Sequence, residues 1–278
     1  MKQKKNEMLL SFLFVMFVFV GCKAQDTVVD EPGWAFAENL TVSKEFDAAS
    51  NTTYYLTRIK HKDKNGNIIK LHTQFANRPE GETTRAFAIR NKTAVAINGS
   101  QGLNNLPDNQ RQPTGIQIID GEVIQELNVT SYTLGITDNN ELVSYAPGTK
   151  AQDILDDGIN TALTAFYPLI EDGEWVSDEV LAIRGNSAVK HPRQVIAQFD
   201  NLDLLIFSCG GRGFDGDGMT AKEMMKILKD LGVKFAFNLD GGGSTSTVIK
   251  DQLITKKIDN NGTRERLRPN FLYVVEDN

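Results

Sequence analysis

Closely spaced turn signals, each flanked by short apolar runs, recur along most of this chain. Each signal combines residues of Asn, Asp and Gly between two strand-like segments, and Asn-Gly or Asp-Gly at such a point favours the tight turn of a β-hairpin. The paired segments are residues 54–59 with 68–75, 115–119 with 123–127, 132–137 with 142–145, and 195–199 with 204–207. Repeated hairpins predict an antiparallel or mixed sheet with few helices between its strands.

Two segments have the apolar spacing of a helix. One is short, at residues 151–156, and the other, at residues 221–231, is the best-defined element of the sequence. Thr220 and Glu223 form a Thr-x-x-Glu capping box at the start of the second helix, and Gly232 ends it. The predicted fold class is therefore α+β, with a mixed, largely antiparallel sheet, hairpins and a few helices in one main domain.

The N-terminal segment resembles the signal of a bacterial lipoprotein. Three lysines precede an apolar run at residues 8–20, which is too short to span a bilayer. The run ends in Phe-Val-Gly-Cys, which resembles a lipobox with Cys22 as the lipidated residue. We predict a lipid-anchored protein of the bacterial cell envelope, periplasmic or surface-exposed. Residues 1–21 are its signal peptide, 22–50 a tether or entry segment, and 51–278 its domain. A soluble secreted protein with an incidental Cys22 is the alternative.

Charge and residue counts exclude several classes of protein. The formal net charge is −6, and removal of residues 1–21, with three Lys and one Glu, leaves 27 basic and 35 acidic residues, or −8. Such a chain is not expected to bind nucleic acid through a general basic surface. Three His and two Cys cannot build a Cys-rich zinc site or a His-Glu-x-x-His metalloprotease. Asp215 and Asp217 suggest calcium, but the other ligands of a calcium loop are missing around them.

A glycine-rich loop at residues 210–218 lies between a predicted strand and the capped helix. Gly211, Gly213 and Gly216 match the spacing of a dinucleotide-binding loop, and Asp240 lies 24 residues past Gly216, near the place of a ribose-binding acid. However, the helix begins too late for the third glycine, and hairpins surround the segment instead of further strand–helix units. NAD is therefore not expected, and a dinucleotide-binding protein ranks as the third alternative.

A second glycine run, at residues 241–245, follows a predicted strand at 234–239. Three consecutive glycines cost conformational entropy on folding, so a turn alone does not explain them. Their amides could bind an anion, or the glycines could let two strands cross closely, and both explanations stay open. Nearby polar residues also have structural explanations: Arg193 as an edge-strand charge, Glu223 as a helix cap and Asn98 as a turn residue.

Five ordered segments together resemble the phosphodiester glycosidase family. They are AVAINGS from Ala94, HPRQVIA from His191, LLIFSCGGR from Leu204, GMTAKEMMKILKDLGVKFAFNLDGGGSTSTV from Gly218 and RPNFLYVV from Arg268. They span roughly residues 85–275, and NLDGGGST is the specific part. The resemblance implies catalytic roles for Asp240, Glu223 and Arg193. It implies substrate-binding roles for Asn98, Arg212, Asn238, Gly241, Gly242, Gly243, Ser244 and Thr245.

The sequence departs from the family pattern at two places. The family usually has an aromatic pair after the Asn-Gly, whereas Ser100 and Gln101 follow it in this chain, which removes the pair expected to stack on a sugar. The family also usually has Asp before the Gly-Arg of the central loop, where this chain has Gly210. The missing carboxylate predicts an altered substrate or a reduced activity.

The residue types suit cleavage of a sugar-1-phosphodiester at the anomeric carbon. The leaving group is a phosphate monoester, which cations and backbone N–H groups can stabilise, so one carboxylate acting as base or nucleophile would suffice. We therefore predict a hydrolase acting on a sugar-phosphodiester of a glycan or cell-envelope polymer. No cofactor is required, although a divalent cation is compatible with the site. The rival is a non-catalytic lipoprotein that binds a glycan or sugar phosphate, which Gly210 favours.

Overall fold

The computed structural model of the protein describes residues 34–103 and 110–276. The predicted signal peptide, Cys22 and residues 22–33 of the predicted tether lie outside this part of the chain. Within the described part, no helix is long and apolar enough to cross a membrane.

Seven strands form the largest sheet, in which all neighbouring strands are antiparallel. In spatial order they are β1 (Leu40–Asp47), β2 (Thr52–Ile59), β15 (Leu204–Cys209), β14 (Arg193–Gln198), β16 (Phe235–Asn238), β12 (Tyr167–Glu171) and β13 (Glu174–Trp175). Every residue of β14 and β15 is buried, so these two strands form the covered centre of the sheet.

Two five-stranded antiparallel sheets and one ribbon complete the strand structure of the described residues. The first sheet has the order β10 (Leu142–Tyr145), β9 (Thr133–Ile136), β11 (Thr161–Thr164), β7 (Gln117–Ile119) and β8 (Glu122–Gln125). The second has the order β18 (Gln252–Leu253), β17 (Thr247–Ile249), β4 (Thr93–Asn98), β19 (Asn270–Val275) and β3 (His72–Phe75). The ribbon pairs β5 (Gly102–Leu103) with β6 (Gln112–Pro113).

The helices of the described residues are short. They are α1 (Thr84–Asn91), α2 (Ala151–Asp156), α3 (Asp178–Ala182), α4 (Ala221–Asp230) and α5 (Asp259–Gly262), the last a single turn with left-handed Asn260 and Asn261. Two 3-10 turns lie at Ala35–Asn39 and Gly242–Ser244. In α4, the Thr220 hydroxyl accepts a hydrogen bond from the Glu223 amide, and the Glu223 carboxylate accepts one from the Thr220 amide, so the predicted capping box is present.

The hydrophobic core lies between the seven-stranded sheet and the two smaller sheets. Alternate residues of each strand point to opposite faces, so Ile196 enters this core while Val195 faces α4 on the other side. The buried methionines of α4, Met224 and Met225, cover that outer face. On the opposite side of the protein, Phe87 of α1 packs against the sheet that contains β4 and β19. The layers therefore run helix, sheet, sheet, helix.

The observed architecture confirms the predicted α+β class with largely antiparallel sheets. Three predicted hairpins are present as β7–β8, β9–β10 and β14–β15. The predicted helix at residues 151–156 is α2, and the helix predicted at 221–231 ends one residue earlier, at Asp230. In these segments the turn residues and the apolar spacing sufficed because each element pairs or packs with its neighbour along the chain.

Two predictions need correction. Residues 54–59 and 68–75 do not form a hairpin, because β2 pairs with β1 and β15 while β3 pairs with β19 in another sheet. The predicted tether at residues 22–50 also overlaps the folded domain. From Trp34 onward the chain is folded, and β1 forms an edge of the largest sheet because its apolar residues Leu40 and Val42 complete the central core.

Candidate active site

Asp240 lies where three strands from two sheets meet. It follows β16, next to the end of β4 and the beginning of β14. The Asn98 side chain, at the end of β4, donates a hydrogen bond to the Asp240 carbonyl oxygen at 2.7 Å, and the Asp240 amide donates one to the Gly99 carbonyl at 3.3 Å. The Asn98 side-chain oxygen accepts from the Ser246 amide at 3.1 Å. Asn98, predicted to bind substrate, therefore fixes the backbone on both sides of the glycine run.

The Asp240 carboxylate forms a buried ion pair with Arg268. The Arg268 Nη2 lies 2.7 Å from Asp240 Oδ2, and the two side chains are 3% and 11% exposed. The same nitrogen donates to the Ser100 carbonyl at 2.9 Å, whereas Arg268 Nε has no hydrogen-bond partner among the described residues. Burial lowers the pKa of Arg268, and the Asp240 charge opposes that shift. The ion pair holds Asp240 in one orientation.

A buried polar network holds the Ser100 backbone in place. Asn270 accepts a hydrogen bond from the Ser100 amide at 2.8 Å and donates to its hydroxyl at 3.0 Å. Gln117 donates to the same hydroxyl at 3.1 Å and accepts from the Asn270 side chain at 2.8 Å. Ser100, which stands where the family usually has an aromatic residue, is therefore fully buried and positions Arg268.

One cavity beside Asp240 has four arginines in its wall, and we call it the arginine cavity. Its volume is 480 Å³. It is lined by Gln101, Gly102, Gln110, Arg111, Asp240, Asp259, Asn260, Arg264, Arg266 and Arg268. Asp259 accepts hydrogen bonds from Nε and Nη2 of Arg266 at 2.8 and 2.7 Å, and this contact lowers the pKa of Asp259. Such a surface suits an anion with several oxygen acceptors.

The second cavity beside Asp240, which we call the inner cavity, has a volume of 180 Å³. It is lined by Phe166, Asn186, His191, Pro192, Arg193, Arg212, Asn238, Leu239, Asp240, Gly241, Gly242 and Arg266. Asn238 Oδ1 and His191 Nδ1 are both buried without a hydrogen-bond partner among the described residues. Burial, together with the charges of Arg193 and Arg212, lowers the pKa of His191. Unpartnered polar atoms in a cavity wall indicate groups that a polar ligand could satisfy.

Arg193 lines the inner cavity, but its guanidinium is bound to the backbone. Its Nε donates to the Met219 carbonyl at 3.0 Å, and its Nη2 donates to the carbonyls of Asn186 and Val189 at 2.8 and 2.7 Å. The side chain is almost fully buried, and burial lowers its pKa. In the structure, Arg193 therefore holds the backbone of the loop before β14 in place. The cation that contacts Asp240 is Arg268.

The glycine run packs closely against neighbouring groups. The Gly242 amide donates to the Pro192 carbonyl at 2.8 Å, and those of Ser244 and Thr245 donate within the turn at 3.1 and 3.3 Å. A Cβ atom on Gly241 would lie 2.5 Å from the Pro192 oxygen, and one on Gly243 would collide with the Asp259–Arg266 pair. Of the two explanations left open by the sequence, close packing describes these residues, because three of the five amides are already bonded within the protein.

Two other predicted site residues, Glu223 and Arg212, differ in their position relative to the two cavities. Glu223 completes the α4 cap, and its other carboxylate oxygen lies 3.7 Å from Lys190 Nζ. It lines neither the arginine cavity nor the inner cavity. Arg212 is exposed, lines the inner cavity and contacts the glycine run at Gly242. Of the predicted site residues, Arg212, Asn238 and Asp240 thus line one cavity, whereas Glu223 does not.

The first glycine-rich loop is shaped by backbone packing. A Cβ atom on Gly216 would collide with the Asn51 carbonyl, and one on Gly218 would lie 2.7 Å from the His191 backbone. The flanking strands β15 and β16 are separated in the sheet by the antiparallel strand β14, so they do not form the adjacent parallel pair of a dinucleotide-binding unit. Among the described residues, no group of three or more His, Cys, Asp or Glu side chains could hold a metal ion.

Arg111, Arg264, Arg266 and Asp259 line the arginine cavity but are not among the predicted site residues, and Arg268 enters the prediction only as part of a motif. Arg264, Arg266 and Arg268 alternate in the sequence, which places three cations on one side of an extended segment. This alternation does not by itself predict a site, because the segment follows no strong strand or helix pattern.

Comparison with known proteins assigns a family and a fold. A model of the family described as phosphodiester glycosidase matches residues 87–275. The SPbeta prophage-derived uncharacterized protein YomE of Bacillus subtilis (strain 168) is 27% identical in an alignment of 240 residues that covers 79% of this chain and 36% of that protein. This chain therefore spans little more than a third of that relative's length.

Solved structures with a similar fold include the catalytic domain of zebrafish N-acetylglucosamine-1-phosphodiester alpha-N-acetylglucosaminidase, auto-inhibited by its pro-peptide. The TM-score is 0.66 and the identity 20%, covering 86% of this chain and 83% of that one. A Synechocystis protein has a TM-score of 0.59 at 16% identity, covering 85% and 62% of the two chains. At these identities the likeness shows a shared fold.

Proposed function

The chain belongs to the phosphodiester glycosidase family, and from that premise we propose that it hydrolyses a sugar-1-phosphodiester. The bond between the anomeric carbon and the bridging oxygen breaks, and that oxygen leaves with the phosphorus. Water supplies the hydroxyl of the free sugar, and its remaining proton passes to solvent or to the products. The products are a free sugar and a phosphate monoester of the leaving group.

The position of Asp240 carries the proposal. Asp240 and Arg266 line both the inner cavity and the arginine cavity, so the wall shared by the two cavities contains one carboxylate and one guanidinium. A sugar in the inner cavity and a phosphate in the arginine cavity would place the scissile bond beside this wall. The carboxylate would then face the anomeric carbon, where positive charge develops in the transition state.

The charge distribution supports placing the sugar in the inner cavity and the phosphate in the arginine cavity. A carboxylate with no cation beside it would repel a bound phosphate. Arg268 Nη2, however, lies 2.7 Å from Asp240 Oδ2 and offsets this repulsion. Arg266 and its neighbours supply fixed donors for the leaving phosphate, which gains negative charge as the bond breaks. The inner cavity offers the Asn238 oxygen and the ring of Phe166 to the sugar.

A screen of purified protein against sugar-1-phosphodiesters tests the proposal. Free sugar and phosphate monoester are both quantified, because hydrolysis at the anomeric carbon releases them in equal amounts. The proposal requires such release from at least one compound, and its loss in Asp240→Asn. Release of the sugar 1-phosphate and a free alcohol instead would place the cleavage on the other side of the phosphate and contradict the proposal.

One observation favours a second candidate, a binding protein without activity. A Cβ atom on Gly210 would collide with the Phe214 carbonyl and lie 2.5 Å from the Asp215 Cβ, so this chain has no room for the aspartate usual in the family. The Asp215 carboxylate is held by the Tyr55 hydroxyl at 2.7 Å. Saturable binding of a sugar-1-phosphodiester with no product release would support this candidate.

We further propose that the protein is anchored in the bacterial cell envelope through lipid on Cys22, on the strength of the Phe-Val-Gly-Cys sequence. The wild type should sediment with membranes, and Cys22→Ala should release it or stall its processing. A soluble wild-type protein whose mature N-terminus lies elsewhere would contradict the anchor.

A further inference from the structure

The arginine cavity contains more positive charge than one bound phosphodiester compensates. Four arginines face two aspartates in its wall, which leaves an excess of two positive charges. Asp240 compensates Arg268, and Asp259 compensates Arg266. A phosphodiester carries a single negative charge, so one bound diester would leave this cavity with an excess of one.

The two arginines that lack a close partner are Arg264 and Arg111. Arg264 lies 3.8 Å from an Asp259 oxygen that already accepts a hydrogen bond from Arg266. Arg111 forms no ion pair with any residue of the described part of the chain, and its backbone amide is anchored to the Pro79 carbonyl at 2.7 Å. Among the described residues, neither guanidinium therefore has a carboxylate of its own.

The arginines of this cavity also lie at different depths. The Arg268 side chain is 3% exposed, Arg266 is 32% exposed and Arg264 is 69% exposed. The inner arginines flank Asp240, where the scissile phosphate is placed by the proposed function. Arg264 lies at the solvent end, where a leaving group that extends out of the cavity would pass.

We propose that the leaving group carries a second phosphate, separated from the scissile phosphate by an uncharged spacer the size of a polyol or a sugar. This inference rests on the proposed function and narrows its substrate class to compounds with repeated phosphodiesters. Arg264 and Arg111 bind the second phosphate at the solvent end, while Arg266 and Arg268 face the first. The second phosphate leaves unchanged on the released monoester, so the bonds broken and formed are those of the parent reaction.

A diphosphate fits this cavity less well. Its two phosphates are adjacent, so both would lie near the inner arginines, which Asp240 and Asp259 already compensate. The outer arginines would then stay without an anion. Spacing between the phosphates is therefore the property that distinguishes the two substrate types.

Three synthetic substrates with the same sugar test the proposal. In the first the phosphodiester bears a methyl group, in the second glycerol phosphate, and the third is a sugar-1-diphosphate. We expect kcat/KM for the glycerol phosphate compound to exceed that for the methyl compound about tenfold, and the preference to weaken at high salt. Equal values for these two, or a higher value for the diphosphate than for the glycerol phosphate compound, would overturn the proposal.

Variants connect the preference to the outer arginines. Arg264→Gln and Arg111→Gln should each reduce the ratio of kcat/KM values about threefold. Lys226→Gln is the matched control, because it also removes one positive charge from a side chain that is 72% exposed, on α4. Its ratio should match the wild type. A ratio that falls equally in all three variants would show a general charge effect and refute the assignment.

Binding measurements with uncleavable analogues distinguish failure of this inference from failure of the proposed function. Phosphonate analogues, in which a methylene group replaces the bridging oxygen, cannot be cleaved and are titrated into wild-type protein by calorimetry. Tighter binding of the spaced analogue, weakened in Arg264→Gln, supports the inference even if no substrate is turned over. Equal affinity for the methyl and spaced analogues would refute it even in an active enzyme.

Discussion

Replacement of Arg268 by methionine should strongly destabilise the protein, because it removes one partner of a buried ion pair. The Asp240 carboxylate would keep its negative charge in a site where it is 11% exposed, and the Ser100 carbonyl would lose a hydrogen bond. Breaking a buried pair by removal of one partner costs about 3–5 kcal/mol, most of it from the charge left behind.

A double-mutant cycle separates the free energy of the ion pair from the loss of side-chain packing. Asp240→Asn alone leaves the Arg268 charge uncompensated, whereas the double variant leaves neither charge. If the two groups act as a pair, the double variant should be more stable than the sum of the single effects predicts, by about 2 kcal/mol. Urea unfolding followed by circular dichroism measures all four proteins.

An exposed pair in the same chain provides the control. Arg58 Nη2 also lies 2.7 Å from an aspartate oxygen, that of Asp203, but the Arg58 side chain is 46% exposed. Arg58→Met should therefore lower the free energy of unfolding by less than about 1 kcal/mol. A loss in Arg268→Met no larger than in Arg58→Met, or strictly additive effects at Arg268 and Asp240, would refute the reasoning.

Four further outcomes follow from the described contacts. Thr220→Ala removes the hydroxyl that caps α4 and should lower the unfolding free energy by about 1 kcal/mol, measured in urea. Burial raises the pKa of Cys209 to about 12, so iodoacetamide at pH 8 should modify this thiol only after denaturant is added. Because the folded-state pKa of His191 is lowered, protonation favours the unfolded state, and wild-type stability should fall more than that of His191→Gln as pH drops below about 6.5. Gly243→Ala would collide with Asp259 and should lower the melting temperature, whereas Gly102→Ala, which likewise has no positive φ and would meet its nearest atoms at 3.5 Å, is the control.

Local signals in the sequence predicted the elements whose partners are close along the chain. The cap residues of α4 and the turns of three hairpins define their own geometry, and Asp240 follows from the end of a predicted strand. Helix α1, which the sequence analysis does not predict, shows the limit of such signals. Its sequence, Thr-Arg-Ala-Phe-Ala-Ile-Arg-Asn, leaves Ile89 exposed while Phe87 is buried, so it has no continuous apolar stripe, and packing of Phe87 on Phe271 stabilises it.

The sequence alone does not predict which distant segments pair, either as strands of one sheet or as side chains of the site. A turn does form at residues 63–67, with Asp63 accepting hydrogen bonds from the Asn65 and Asn67 amides, yet the strands on either side join different sheets. In the same way, Arg268 and Asp240 are 28 positions apart, and their contact depends on how β19 and β16 are placed by two separate sheets. Burial of both partners is a property of the assembled layers.

The most direct test of the proposed chemistry compares Asp240→Asn with Glu223→Gln on a sugar-1-phosphodiester that the wild type cleaves. Both changes nearly preserve side-chain size, and Gln can keep the α4 capping hydrogen bond. With folding checked by circular dichroism, Asp240→Asn should lower the rate of sugar release by orders of magnitude, while Glu223→Gln should keep most of it. Near-normal turnover in Asp240→Asn together with loss of turnover in Glu223→Gln would contradict the account and assign the essential carboxylate to Glu223.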